Sequence, residues 1–220
     1  MRGQAPSKPS LAALVRAEAR RFFRTARGSH DWDHTSRVLR LCLRIGRAEK
    51  ADLEILRLAA LLHDIGRGEE DRSNGRICHS EASARAAREI LSRHGLAPDR
   101  IERVVHCIEA HRFRKNVPPA SLEAKILFDA DKLDSIGAVG IGRAFLFAGE
   151  VGARLHNKEK DPARTAPYSK EDTAYREFMV KLRHIKDRMF TEEGKRLAAG
   201  RHDFMVAFFA RLDGETDGDL

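Results

Sequence analysis

Cysteine is scarce in this 220-residue sequence: Cys42, Cys78 and Cys107 form no CxxC pair and leave an odd count. That suggests neither a disulfide framework nor a zinc knuckle and suits a reducing cytoplasm. Aromatic residues are scarce too, at 6%, and the single Trp32 with two tyrosines makes no stacking platform for single-stranded nucleic acid. No apolar run approaches the roughly eighteen residues of a membrane span, and Met1 to Pro9 lack the apolar segment of an export signal. Strand signals are nearly absent, as are internal repeats and low-complexity segments. No block of five like charges occurs, which argues against a basic tail for nucleic acid and makes specific nucleic-acid binding the least favoured reading.

What is abundant is helix-forming and charged. Charged residues make up 34%, and Leu, Ala, Arg and Glu dominate the periodic stretches, so the fold class expected is all-α. The net charge of +8 comes from 41 basic residues interspersed with 33 acidic ones, as on solvated helix faces. The length suits one domain with a sizeable core, expected over residues 10–212 between short flexible tails at 1–9 and 213–220.

Ser10 is a plausible cap for a first helix ending at Gly28, and a second helix should begin within SHDWDH and run to about Gly46. On it His34, Val38, Leu41 and Ile45 recur at helical spacing, so His34 points where the core points. Asp52 caps a third helix, whose face carries Leu56, Ala59, Ala60 and His63, with Asp64 one position around and Gly66 as terminator. The polar stretch from Arg67 to Cys78 reads as a loop over whatever His63 and Asp64 bind. A fourth helix runs from about His79 to His94. Pro98 opens a fifth, where Ile101, Val104, Val105, Ile108 and His111 form one stripe and His106 falls off it. Ser121 caps another after Pro118-Pro119, followed by a stretch spaced by Gly137, Gly140 and Gly142. A polar excursion over about 151–169 precedes two final helices, expected at about Lys170–Phe190 and Thr191–Arg211.

The dipeptide His-Asp occurs three times, at His30-Asp31, His63-Asp64 and His202-Asp203. Only His63-Asp64 follows a long apolar helical run, ILRLAALL, broken by Arg57 alone, which places two polar groups at the floor of a core. A buried carboxylate needs a partner, and a divalent cation is one. His34 and the acidic segment DADKLD, with Asp129, Asp131 and Asp134, could complete a mixed nitrogen and oxygen donor set from three separate segments. Periodicity does not choose among those three aspartates. Taken singly, His34 could be a bonded core histidine and Asp64 a helix-end carboxylate paired with Arg37 or Arg67.

The order H, HD, D, carried by DHTSRV, LLHDIG and DADKLDSIGAVGIGR, resembles the HD superfamily of metal-dependent phosphohydrolases, specifically its small bacterial and archaeal single-domain members. KLRHIKDRMFTEEGKRLAAGRHDFM is similar to their C-terminal helices, so the likeness covers nearly the whole chain. It implies a single-domain helical bundle in which His34, His63, Asp64 and Asp131 hold one divalent metal, and Asp131 is chosen because it aligns with the aspartate of the family's AD-x-L-D motif. Asp134 then falls to a supporting bond. Arg37, one turn after His34, resembles an arginine the family places beside the metal, in contact with phosphate or paired with Asp64. His79 and His111 sit roughly where two-metal members carry extra histidines, leaving room for a second ion, although His79 could cap its helix and His111 could be a bonded core residue. Glu81 is a weaker acid/base candidate.

The chemistry expected is hydrolysis of a phosphoester or phosphoanhydride in a phosphorylated small molecule, read as a nucleotide. Asp64 would hold water as well as metal. Arg37, Arg67, Lys132 and Arg112 are the positive groups nearest the motifs and suit phosphate, with His79 and His111 as further substrate contacts. Mixed imidazole and carboxylate ligation fits Mn²⁺, Fe²⁺, Co²⁺, Ni²⁺ or Zn²⁺ better than Ca²⁺, with Mg²⁺ also admitted. Two other readings stand beside it. A di-iron oxygenase of the same fold would need His79 and His111 as ligands, and a non-catalytic nucleotide-sensing module would keep the metal for folding alone. Self-association as a homo-oligomer is left open.

Overall fold

The apolar run that ends in His63-Asp64 forms the central helix of the protein. A computed structural model describes residues 9–23, 31–73, 76–112 and 117–220; the expected end of the first helix at Gly28, most of the N-terminal tail and His30 lie outside them. No strand occurs among the described residues, and none of their helices is long and apolar enough to cross a membrane.

The helices are α1 (Leu11–Phe22), α2 (Trp32–Ala48), α3 (Leu53–Leu62), α4 (Arg67–Arg72), α5 (His79–Arg93), α6 (Pro98–Ala110), α7 (Leu122–Leu133), α8 (Gly137–Glu150), α9 (Ala174–Val180) and α10 (Glu192–Asp217). Side-chain caps fix their starts. Ser10, Asp52 and Ser121 act as expected, and Asp31 accepts the His34 N–H at 3.0 Å, setting the phase of α2 so that His34, Val38, Leu41 and Ile45 are all buried. In α3, Ile55, Leu56, Leu58, Ala59, Ala60, Leu61 and Leu62 are buried, so apart from Glu54 and Arg57 near its start the helix is apolar and packs against α1, α2, α6 and α7. Each of its large side chains stabilises the fold by about 1.5–3 kcal/mol through burial. That packing anchors the polar pair at its end.

Three expectations are corrected. Residues Arg67–Arg72, expected as part of a loop, form the short helix α4, with Glu69 and Glu70 in the first turn and Arg72 in the last, charges that suit the helix dipole. The segment Lys170–Phe190 is not one helix. Thr173 caps α9 by accepting the Arg176 N–H at 3.0 Å, and the chain breaks at Lys181 (φ −140°) into a 3₁₀ segment, Leu182–Arg188. Helix α10 continues past Arg211 to Asp217, with an Arg211–Glu215 pair at 2.7 Å on its face and Gly218 at φ +79° closing it, so part of the expected tail is helical.

The acidic segment of α7 also ties down the last helix. Asp129 is fully buried and accepts from Phe190 N at 2.9 Å, Thr191 N at 2.8 Å and Thr191 Oγ1 at 2.7 Å, pinning the start of α10. Burial raises its pKa despite these bonds. Asp129→Ala is expected to destabilise the protein by about 2–3 kcal/mol, because three donors lose their acceptor, while leaving metal content unchanged. Urea midpoints and metal analysis of the variant check both halves.

Candidate metal centre

Four imidazoles arrive from four places: His34 on the first turn of α2, His63 just after α3, His79 at the start of α5 and His111 just after α6. All are buried, and their rings stand in a row, with centroids 5.4 Å apart for His34–His63, 5.3 Å for His63–His111 and 5.4 Å for His79–His111. His79 does not cap its helix, since Cys78 occupies that position.

In each ring the outward nitrogen has an acceptor. His34 Nδ1 lies 2.7 Å from Asp134 Oδ2, His63 Nδ1 2.8 Å from Ala60 O, His79 Nδ1 2.7 Å from Glu70 Oε2 and His111 Nδ1 2.5 Å from Ile108 O. Protons on the Nδ1 atoms of His34, His63 and His111 leave their Nε2 atoms directed inward, whereas His79 Nδ1 is shared between Glu70 and the Arg112 Nη1 group 2.8 Å away. The Nε2 atoms crowd: His34 and His63 Nε2 are 3.4 Å apart, and His79 and His111 Nε2 are 3.3 Å apart. At that distance each pair needs a positive charge between or beside its nitrogens, a proton or a cation.

Asp64 stands between the two pairs. Its Oδ2 is 3.5 Å from His34 Nε2 and 3.7 Å from His63 Nε2, whereas its Oδ1 is 3.3 Å from His79 Nε2 and 3.7 Å from His111 Nε2. Asp131 Oδ1 adds a second carboxylate 3.4 Å from His34 Nε2. Two donor groups result, His34 with His63 and Asp131, and Asp64 with His79 and His111, each with its donor atoms within 4.8 Å of one another. Nitrogen and oxygen donors on a buried, rigid frame fit a divalent cation. The position after the C-terminal end of α3 adds the negative end of its dipole.

Electrostatics agree with a site prepared for positive charge. Burial works against ionising Asp64 and Asp131, yet Arg67 beside the first and Lys132 beside the second hold both well below the usual carboxylate range. Burial pushes His63 down to about 4, keeping it neutral as a ligand must be. Burial pulls on His34 as well, but its bonds to Asp131 and Asp134 raise it to about 9, so a proton occupies this corner until a cation replaces it.

The expected arginines and lysine fall into separate roles. Arg67 Nε bonds Asp64 Oδ2 at 2.9 Å and Lys132 Nζ bonds Asp131 Oδ2 at 2.7 Å. Arg37 pairs with Asp134, not Asp64, through Nε at 2.7 Å and Nη2 at 3.1 Å. Arg112 Nη1 lies 2.7 Å from Glu70 Oε1 and 2.8 Å from His79 Nδ1. Glu81 is exposed on the first turn of α5 and falls outside both donor groups. Two participants were missed. Glu70 sits in a stretch read as loop, and the only signal for it was the helical spacing Arg67, Glu70. Arg143 bonds Asp134 Oδ2 at 2.9 Å, and the hint was a lone cation among Gly140, Ile141 and Ala144.

Gly66 brings the halves of the site together. Expected as the terminator of α3, it instead precedes α4, because α3 ends at Leu62, and its φ of −83° needs no glycine. A Cβ there would stand 2.5 Å from His79 O and 2.6 Å from Ser83 N, both backbone atoms of α5. Gly66→Ala is expected to push the His63-Asp64 turn away from His79, destabilising the fold by about 1–3 kcal/mol and lowering bound metal, as thermal unfolding and elemental analysis would read. An unchanged metal content would refute this role.

Beside the donor cluster lies an open cavity of about 380 Å³ whose lining includes Arg112, Ser135, Arg143, Phe147, Tyr168 and Arg176. Arg112 and Arg143 also bond to Glu70 and Asp134, the carboxylates behind His79 and His34, so the cavity adjoins the support of both donor groups.

The HD domain family matches residues 31–136, a span that contains all four histidines, Asp64 and Asp131. The chain is 39% identical over 193 residues to the protein YpgQ of Bacillus subtilis (strain 168), covering 86% of this chain and 85% of YpgQ. The crystal structure of Bacillus subtilis YpgQ in complex with ADP superposes with a TM-score of 0.72 at 32% identity, covering 93% of this chain and 97% of that one. An HD-superfamily hydrolase from Bacillus thuringiensis gives 0.74 at 25% identity, covering 94% and 96%. With its histidines and aspartates gathered at one place and its length shared with such relatives, the chain belongs to the HD-domain family of metal-dependent phosphohydrolases.

Proposed function

We propose that this protein hydrolyses a phosphoester or phosphoanhydride of a nucleotide at a two-metal centre bridged by Asp64. His34, His63, Asp64 and Asp131 would hold one divalent ion, and Asp64, His79 and His111 the other. The observation that carries this reading is the facing of four Nε2 atoms, two at 3.4 Å and two at 3.3 Å, across one buried carboxylate. Bound divalent ions supply Lewis acidity, lowering the pKa of water and offsetting phosphoryl charge.

The chain's own groups do the rest. Arg67 and Lys132, each partly exposed beside a ligand carboxylate, are placed to contact phosphate oxygens. Arg112 and Arg143 extend the positive edge into the cavity, where a polyphosphate would lie. Arg37 is bidentate on Asp134 and holds the carboxylate that orients His34, which favours a positioning role over phosphate contact. A nucleotide is favoured because the similar YpgQ has been crystallised with ADP.

The test is a screen of protein stripped with chelator and reloaded with Mn²⁺, Co²⁺ or Mg²⁺ against nucleoside mono-, di- and triphosphates and cyclic dinucleotides. Metal-dependent release of phosphate, pyrophosphate or nucleoside, with two ions per chain, is the expected result. Oxygen consumption by an iron-loaded protein without any such release would overturn it in favour of the oxygenase reading, and nucleotide binding without turnover in favour of the sensing module.

A further inference from the structure

Tyr168 is the largest side chain lining the cavity and the least explained by packing. It is 78% exposed, so burial gives it little. Its backbone stands at φ +57°, a left-handed conformation that bulky residues adopt rarely and at a cost. The surrounding loop is built to keep it there. Asp172, only 5% exposed, accepts the Tyr168 N–H at 2.7 Å and an Arg176 Nη1 bond at 2.9 Å. Arg176 in turn donates to Thr165 O at 2.9 Å and Thr165 Oγ1 at 2.7 Å, closing the loop across its base. Phe147, half-buried on α8, meets the Tyr168 ring edge to face, with centroids 5.8 Å apart and planes at 75°.

A strained, exposed aromatic held by a buried ion pair is a feature to be explained by function. From the cavity it shares with Arg112 and Arg143, and resting on the nucleotide reading above, we infer that Tyr168 is a stacking wall for the nucleobase. The phosphates face the arginines beside the donor cluster, and the planar base lies against the open ring of Tyr168, whose tilt is set by Phe147. The cavity's volume of about 380 Å³ is of the size that takes a small ligand. The remaining lining cations, Arg176 and Lys181, pair with Asp172 and with Glu177 at 2.6 Å, whereas Arg112 and Arg143 pair with the carboxylates behind His79 and His34 and so tie the cavity to the donor groups. Stacking on one ring face discriminates weakly among bases, so the site accepts both purine and pyrimidine nucleotides.

The experiment is calorimetric binding to the full, Mn²⁺-loaded chain, with ADP and with inorganic pyrophosphate, which has no base. Tyr168→Ala is expected to weaken ADP about 10-fold and pyrophosphate less than twofold, while Tyr168→Phe and Tyr168→Trp retain wild-type affinity for both. Unchanged ADP affinity in Tyr168→Ala, equal losses for the two ligands, or no ADP binding by the wild type would overturn the inference. Hydrolysis is scored separately on the same preparations. Tyr168-dependent ADP binding without turnover of any phosphate compound would defeat the hydrolase reading alone, and turnover with Tyr168-independent binding would defeat this inference alone.

Discussion

Asp64→Ala is expected to lower kcat/KM by roughly 10³-fold or more, equivalent to about 4 kcal/mol of transition-state stabilisation, and to strip both ions from the protein. Among the described residues no other carboxylate reaches both donor groups: Oδ2 faces His34 and His63, and Oδ1 faces His79 and His111. Asp131 approaches only the first of them. Without Asp64, Arg67 also loses its carboxylate partner at 2.9 Å and keeps its charge beside the imidazoles, with Glu70 Oε2 at 3.8 Å as a remaining anion. Asp64→Asn, which keeps the volume and one oxygen, separates loss of charge from loss of shape. Elemental analysis and turnover of folded variants are the measurements, and a variant that retains two ions and a rate within a few-fold of wild type would end the bridging assignment.

The second large effect is expected at a residue that is not a proposed ligand. Asp134 is buried and gathers His34 Nδ1 at 2.7 Å, Arg37 Nε at 2.7 Å and Arg143 Nη1 at 2.9 Å. These bonds overcome burial and hold its pKa below the ordinary value. Removing it strands two guanidinium groups and a ring nitrogen. Asp134→Ala is expected to destabilise the protein by about 3 kcal/mol, the low end for a broken buried pair, because Arg37 and Arg143 reach solvent. Metal affinity should fall about 10- to 100-fold, since His34 loses the acceptor that fixes its tautomer and orientation. Denaturation midpoints and competition for Mn²⁺ against a chelator give the two numbers. A fully stable variant with unaltered affinity would show that the backbone alone orients His34.

The helical fold and the inward direction of the donors were readable because each depends on local periodicity. His34 shares a face with Val38, Leu41 and Ile45, and His111 with Ile108 and Val104; once those apolar side chains are buried, the histidines are buried with them. The position of His63-Asp64 followed from the apolar run before it. Short-range competition explains the misread segments. Thr173 caps α9 and interrupts what composition alone would continue, and Arg67–Arg72 fold as a helix on charges too few to stand out in a polar stretch.

By itself the sequence determined that the protein is helical, that His34, His63 and Asp64 lie at the floor of its core, and that one of three aspartates joins them. Resemblance of DADKLD to the family motif singled out Asp131 and left Asp134 a supporting bond, and the tertiary structure supplied the partners: Asp129 holds the start of α10, Asp131 meets His34 and Lys132, and Asp134 orients His34 between two arginines. Only the fold drew Glu70 and Arg143 to the backs of His79 and His34 and set Tyr168 in the lining of the cavity that Arg112 and Arg143 share. The physical reason is that spacing along a helix fixes which side chains share a face, whereas the neighbour across that face is fixed by packing between segments distant in the chain.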